Sequence, residues 1–504
     1  MLTEFCRRET DGSITIYLAM SLAALLSLYF VLMHGAGLGA ARMQLDSISH
    51  IAQNSALAEF HGELHERYDL FMVDTSYGGP GGGNEVFGQH LRGYMEKNCV
   101  RTTALPLGGV RDWTSMQIGD VSVTEGRYAC DNAGRAVREQ VYAYMSADPA
   151  GEVIAEFLVT ADQWRGLELR GREWKEETQE SRKDLKEALK NKRDAQKEKN
   201  RQKEKSGQNV THEEREAASG DPSEAEDMVG QMESFQLLPI LWQVFGSTDR
   251  ISNQSVPLDS VLSRRGVHLG TGMQAENTHT YPEADEILFD RYIYEKTGDY
   301  TRQSEDGQLR FQTEYILCGK GSDRQNLEDT AARLLLIREA SNCVYLFTDE
   351  ARMAQVHLVA AAASLLLLSP ELEDMIARAL ALTWSYLESV QDVRTLLDGG
   401  KVPLQKTDKS WQTQLYELLT PLSAIRDRDR GEGLTYSDYL QGLLFLEGRT
   451  VKTQRIMDIM EMDIRKITGC SGFRMDMCLD EFRMHAEVKA CGKTFTFDGT
   501  GGYN

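Results

Sequence analysis

Two histidines, His61 and His65, stand four residues apart with Glu63 between them. That spacing lets one helix face chelate a divalent metal. The H-E-x-x-H order is absent and no third ligand is identifiable, so the pair reads as solvated helix side chains and no metal site is expected. Glycines crowd residues 78–83 but lack the G-x-x-x-x-G-K-[ST] ending of a phosphate cradle, which leaves a loop. "CGKGSD" (318–323) offers a thiol, a lysine and an aspartate in a glycine turn, with neither a G-x-S-x-G elbow nor a recognisable histidine partner. Asn209-Val210-Thr211 fits a glycosylation acceptor, which matters only in a eukaryotic secretory pathway. These residues define no catalytic, metal or cofactor-binding set, and the chain is expected to be non-enzymatic and to need no cofactor.

The eight cysteines have no C-x-x-C pair. Seven follow the apolar run described below, so at least one is free or pairs with another chain. Cys99 with Cys130, or two of Cys470, Cys478 and Cys491, are candidate disulfides in an oxidising compartment. The alternative reading is small buried hydrophobes.

The elements that would position these groups begin with "GSITIYLAMSLAALLSLYFVLMHGAGLGA" (12–40). Ser13 to Met33 carries no charge and matches the roughly 20 residues a helix needs to cross a hydrocarbon layer. A cleaved signal has a shorter core of about 7–15 residues and a small-x-small site, and Gly37 and Gly39 make a poor one. Beyond Arg42, Leu45, Ile48, Ile51, Ala52, Leu57, Phe60 and Leu64 recur mostly every three or four residues, continuing the same helix to about residue 66. Residues 1–12 are then a cytoplasmic leader and 13–33 a transmembrane helix. Arg7 and Arg8 before the run, against Arg42 alone just after it, place the N-terminus in the cytoplasm and the bulk of the chain outside. "HLVAAAASLLLL" (357–368) is too short to span and reads as a buried helix.

The exported part divides by pattern. Residues 34–150 hold the rest of the helix and a small α+β unit, with a short strand running into a glycine-rich loop over 68–83, one or two strands over 116–130 and a helix after them. Residues 151–230 form a charged helical insertion, solvated and giving way to disorder over 206–228, with an oligomerising coiled coil as the alternative. Residues 231–504 form a mainly helical C-terminal domain. Its helices begin near Asn326, at Ser369-Pro370, and at about 434 and 449, and a terminal period-two stretch turns at Gly492-Lys493. The fold class is α+β.

Charge narrows the partners. The 504 residues carry −21. Arg165 to Lys205 holds 15 basic and 10 acidic side chains, a local +5 that leaves −26 on the remainder. A nucleic-acid partner is not expected, and the contact with membrane is the helix itself.

Taken together, the apolar helix and "ALAEFHGELHERYDLFMVDTSYG" resemble the N-terminus of TadE/TadG-like pseudopilins and an uncharacterised Firmicute membrane-anchored family of the domain-of-unknown-function kind. The later blocks "EYILCGKGSDRQNLEDTAARLLLIREASNCVYLFTD", "LDGGKVPLQK", "SWQTQL" and "GLTYSDYLQGLLFLE" extend that resemblance over nearly the whole chain. It implies a pilin-like unit after the anchor and a component or accessory of a Tad-like (type IV-related) pilus or secretion apparatus, with other apparatus proteins as partners. It also implies prepilin-type processing between Gly12 and Ser13, although Tyr17 stands where many such pilins carry glutamate. A membrane-tethered surface binding or adhesion module is the alternative.

Overall fold

In a computed structural model, residues 2–79, 81–99, 116–147, 151–205, 238–245, 251–273, 283–367, 369–419 and 431–503 are described. The chain forms two compact units. The first joins residues 1–141, 266–279 and 464–504; the second joins 142–265 and 280–463.

The first unit is organised by helix α1 (Leu2–Leu57), unbroken for 56 residues. Residues 14–32 expose every side chain, and the most apolar window has a mean hydropathy of 2.2 with none of it buried. From Ala41 the helix changes surroundings: Ala41, Leu45, Ile48, Ala52 and Ala56 recur at intervals of three or four and are all buried. They pack on an antiparallel sheet. Strand β3 (Cys478–Ala490) pairs along one edge with β2 (Gln117–Tyr128), and along the other with β4 (Lys493–Gly502) and the short β1 (Val73–Asp74). Phe482, Met484, Ala486 and Val488, two apart on β3, face α1, and Phe87, Leu91 and Met95 of α3 (Asn84–Cys99) share the same core. Short α2 (Gly62–Tyr68) and α4 (Arg135–Ser146) complete this part of the chain. The buried guanidinium of Arg127 on β2 donates to Asp480 on β3 at 2.8 Å, and Gln140 of α4 donates to the same carboxylate at 2.6 Å.

Two expectations change here. The terminal strands, read as part of the helical C-terminal domain, instead close the first unit's sheet: Phe482 lies opposite Gly126, and Val121 opposite Ala486. Period two reveals a strand and its apolar face but not which strand lies beside it. The hairpin turn is Cys491-Gly492, both at positive φ (51° and 74°), one residue earlier than expected.

The second unit is helical: α5 (Gly151–Lys205), α6 (Ile240–Phe245), α7 (Glu283–Lys296), α8 (Gln312–Cys318), α9 (Asp323–Thr348), α10 (Glu350–Leu366), α11 (Glu373–Leu397), α12 (Tyr436–Leu446) and α13 (Arg449–Arg465), whose last turn belongs to the first unit. The caps are local chemistry. Ser322 accepts the Gln325 N–H, Asp349 accepts those of Ala351 and Arg352, and Thr435 and Asp438 form a reciprocal capping box. α11 is buried on nearly every side and packs against α5, α9 and α10. α10 buries Val356, Ala360 and Ser364 but leaves Leu358 and Leu365 73% and 66% exposed, so the helix expected to be buried has one covered face only.

The charged helix is also not a free solvated rod. Ala161, Trp164, Leu167, Gly171, Thr178, Leu185 and Leu189 of α5 form a buried seam, and Trp174 stacks on Phe347 with ring centroids 5.3 Å apart. Apolar counting missed that seam because glycine and threonine occupy its middle. A Cβ on Gly171 would stand 2.6 Å from the Leu336 carbonyl oxygen, and one on Gly442 of α12 would stand 2.5 Å from the Trp164 ring. Both glycines therefore set close approaches to α5. The disorder expected over 206–228 lies outside the described residues.

Gly171→Ala is expected to lower the stability of the helical unit by about 1–3 kcal/mol through overpacking, despite alanine's better helix propensity. Urea unfolding of the full chain followed by far-ultraviolet circular dichroism checks this.

Candidate functional site

The residues singled out for chemistry turn out to hold local structure. His61 caps α2, its Nδ1 accepting the Leu64 N–H at 3.3 Å, while its ring lies 4.5 Å from that of Phe473. Burial holds the His61 pKa below its usual value against the pull of Asp74 and Glu63. His65 stacks on Phe71 at 4.2 Å and meets Phe60 edge-on. The two rings are packed among aromatics rather than solvated, and they do not converge. Among the described residues no cluster of three His, Cys, Asp or Glu side chains is placed to hold a metal.

The glycine loop spends its N–H groups on itself. Ser76 donates to Asp74, Gly78 to Ser76 Oγ, and Gly83 to Thr75 Oγ1 at 2.9 Å. In "CGKGSD", Gly319 ends α8 in the left-handed region (φ 64°), Ser322 caps α9, and Asp323 accepts the Arg310 and Phe311 N–H groups. Burial pushes the Cys318 thiol up to about 11, so at neutral pH it is a protonated filler beside Thr330 and not a nucleophile.

Cys99 and Cys130 are not joined to one another. The Cys99 thiol faces the Met116 carbonyl just before β2, and Cys130 follows the end of β2. Twelve strand residues span about 40 Å, far beyond the 7 Å that bridged Cα atoms allow. Cys478 and Cys491 likewise stand at opposite ends of β3. Gly12 and Ser13 lie within the helical backbone of α1.

The densest polar chemistry was not anticipated. Arg338 and Asn342 on α9, Glu388 and Asp392 on α11, Tyr439 on α12 and Lys406 in the intervening loop form one buried cluster in the second unit. Asp392 accepts Arg338 Nε at 3.0 Å, Asn342 Nδ2 at 3.0 Å and Lys406 Nζ at 2.6 Å. Lys406 also reaches Glu388 at 2.6 Å. Glu388 then accepts the Gln412 and Thr413 backbone N–H groups at 2.8 and 2.7 Å. Arg338 Nη1 donates to the carbonyls of Pro403 and Leu404 and to the Tyr439 hydroxyl. Two cations thus balance two carboxylates, and the loop from Pro403 to Thr413 is stapled to α9 and α11. Burial opposes ionisation of Asp392, but Lys406 and Arg338 outweigh it and hold the carboxyl below its ordinary range. The signal in the sequence was there: Glu388 and Asp392 sit four apart inside the apolar stripe of α11, where only paired charges survive.

Glu314 differs. Its Oε1 accepts the Tyr436 hydroxyl at 2.7 Å and the Tyr300 N–H at 2.8 Å, while Oε2 has no partner among the described residues. Burial, aided by the charge of Asp299, pushes its carboxyl up to about 8, so it is protonated at neutral pH.

Among the described residues, two surfaces stand out beside the exposed face of α10. One is the bare apolar length of α1. The other is a groove of about 770 Å³ between α5, α9 and α12, with Leu336, Ile337 and Leu446 along its floor and the Glu168–Arg172 and Arg333–Glu447 ion pairs on its rim.

One family model, described as a family of unknown function (DUF5702), matches residues 218–490. No curated protein and no solved structure matches the chain. The matched stretch takes in most of the second unit's helices together with β3, while α1 and β2, which cover β3, lie upstream of it.

Lys406→Met leaves a buried carboxylate without its ammonium and is expected to cost about 3–5 kcal/mol in denaturant unfolding. Because Asp392 is depressed in the folded state, its contribution is present above its unfolded pKa of about 3.9 and is lost as pH falls through the folded value. Glu314 acts oppositely. The unfolded chain releases that proton near pH 4.3 and the folded chain only near 8, so stability falls across this window by up to about 1.4 kcal/mol per pH unit. Glu314→Gln should flatten the pH dependence of urea midpoints between pH 5 and 8.

Proposed function

We propose, for a chain that belongs to the DUF5702 family of unknown function, a non-enzymatic role as a single-pass membrane-anchored protein whose bulk lies outside the cytoplasm. In this reading it is a component or accessory of a Tad-like, type IV-related pilus or secretion apparatus. The observation that carries the reading is the continuity of α1. Nineteen consecutive residues, 14–32, expose their side chains, and the same helix then supplies Ala41 to Ala56 to the core of the first unit. A disposable export signal has no reason to be rigidly continuous with a core helix, whereas an anchor that carries a folded head is built this way. Arg7 and Arg8 favour a cytoplasmic N-terminus. The likeness of the N-terminal sequence to TadE/TadG-like pseudopilins supplies the apparatus. Its other partners are then the proteins of that apparatus, with Gly12–Ser13 as the processing point.

A tethered binding module is the second reading, and the groove beside α5 favours it. An apolar floor between mixed-charge rims suits an amphipathic segment of a partner.

The full-length chain is expected to stay in the membrane pellet after alkaline carbonate extraction, and added protease is expected to digest its C-terminal part in intact protoplasts. Each central arginine costs about 2.5–3.5 kcal/mol on insertion, so Leu22→Arg with Leu25→Arg should release most of the chain from the pellet. Protection of the C-terminal part would reverse the orientation. A membrane-bound chain beginning at Ser13 by mass spectrometry supports prepilin-type processing, and an intact Met1 rejects it. Co-purification with a secretion ATPase or a multispanning platform protein supports the apparatus reading over the binding module.

A further inference from the structure

The outer face of α10 is a stripe of Ala351, Ala354, Leu358, Ala361, Ala362 and Leu365. At 100° per residue these six fall within an arc of about 100° and run for about 21 Å without a charge. Ala361 is half-buried and the other five are exposed, opposite the face that packs on α11. A stripe with two leucines at 73% and 66% exposure is an uncovered apolar surface among the described residues.

We propose that this stripe is a homotypic contact, paired antiparallel with α10 of a second copy of the chain. Three features select that occupant. First, the C-terminal part of the stripe, Leu358 to Leu365, is self-complementary about its own middle. The midpoint between Ala361 and Ala362 is also the midpoint between Leu358 and Leu365. A two-fold axis there sets Leu358 of each copy against Leu365 of the other and brings alanines together at the crossing, where small side chains let backbones approach. Second, charge is excluded from the contact, as a chain at −21 requires of any surface that meets its own copy. A membrane surface fits poorly, because interfacial helices flank their apolar face with lysine and arginine. α10 has no lysine, and its one arginine, Arg352, is tied to Asp349 and Asp408. Third, the area matches a tethered pair. One short helix stripe buries well under the roughly 800 Å² per partner of a stable soluble dimer. It becomes effective when both copies are confined to one membrane, which raises their effective concentration. The proposal therefore rests on the anchored reading of α1.

The test uses the full chain reconstituted in liposomes. Ala362→Cys treated with a short bismaleimide should give a covalent dimer at least tenfold above both the unsubstituted chain and an Asp162→Cys control, whose side chain is fully solvated. Adding Leu358→Asp to Ala362→Cys should return the yield to the control level, with the circular dichroism melt unchanged because Leu358 is exposed. Equal cross-linking at positions 362 and 162, no dimer, or a dimer insensitive to Leu358→Asp overturns the pairing. So does quenching of a fluorophore at position 362 by lipid-borne quenchers, which would make the face a membrane contact. Flotation with the liposomes reports the anchor separately. A chain that floats without cross-linking sinks the pairing alone, one that cross-links without floating sinks the anchor alone, and one that does neither sinks both.

Discussion

The first unit depends on one continuous helix serving two environments. Over residues 14–32 α1 meets every backbone hydrogen bond within itself and offers only uncharged side chains outward, the condition for a segment surrounded by hydrocarbon. From Ala41 onward the same hydrogen-bonded rod narrows its apolar surface to a stripe and buries that stripe on a sheet. Gly35, Gly37 and Gly39 lie between the two regimes without breaking the helix. A break there would let the head swing. Its absence couples the orientation of the first unit's core to the direction of the rod.

The second unit is held by a different device. Its central helices α9 and α11 could pack on apolar contacts alone, yet they enclose Arg338, Glu388, Asp392 and Lys406. An ion cluster of this kind contributes little net stability compared with well-packed apolar residues, but each member makes the loss of another costly. What it adds is position. Glu388 accepts two successive backbone N–H groups and Arg338 donates to two successive carbonyls, so a loop with little apolar content is fixed at both ends. Charge fixes the two ends of the loop, and the burial of Leu404 and Trp411, the latter edge-on to Trp384, adds to it.

How much of this could be read from residues follows from the range over which each signal acts. The apolar helix with its continuation through Leu45, Ile48 and Ala52, the helix start at Ser369-Pro370 and the long apolar face of α11 are local patterns, and local patterns sufficed. The α+β class and the period-two tail were legible for the same reason. What escaped was relational. Nothing near Phe482 announces that Gly126 lies opposite it. Gly171 looks like a weak point in a charged helix until Leu336 is seen against it, and Thr178 looks solvated until Glu339 is beside it. His61 and His65 carried a plausible spacing, but aromatic rings took up their faces. The buried cluster was half legible: four-residue spacing placed Glu388 and Asp392 on the inner stripe, while their cations came from α9 and a distant loop.

The relational constraint has a consequence for assembly. β2 and β3 are separated by about 350 residues, against about 20 for a local hairpin, and closing the longer loop costs about 2.5 kcal/mol more in chain entropy. β3 carries the apolar face on which α1 and α3 pack, so the first unit lacks its central strand until the end of the chain exists. The whole of the second unit lies inside that loop, and compacting it first leaves less free chain to order and removes part of the entropy cost. The order that physics favours is therefore apolar helix first, helical unit second, sheet last. During that interval the buried face of α1, Ala41 to Ala56, is exposed to whatever surrounds it. That face is small and alanine-rich, with Leu45 and Ile48 its only large members, and so offers little apolar area to a wrong partner while it waits for Phe482 and Met484.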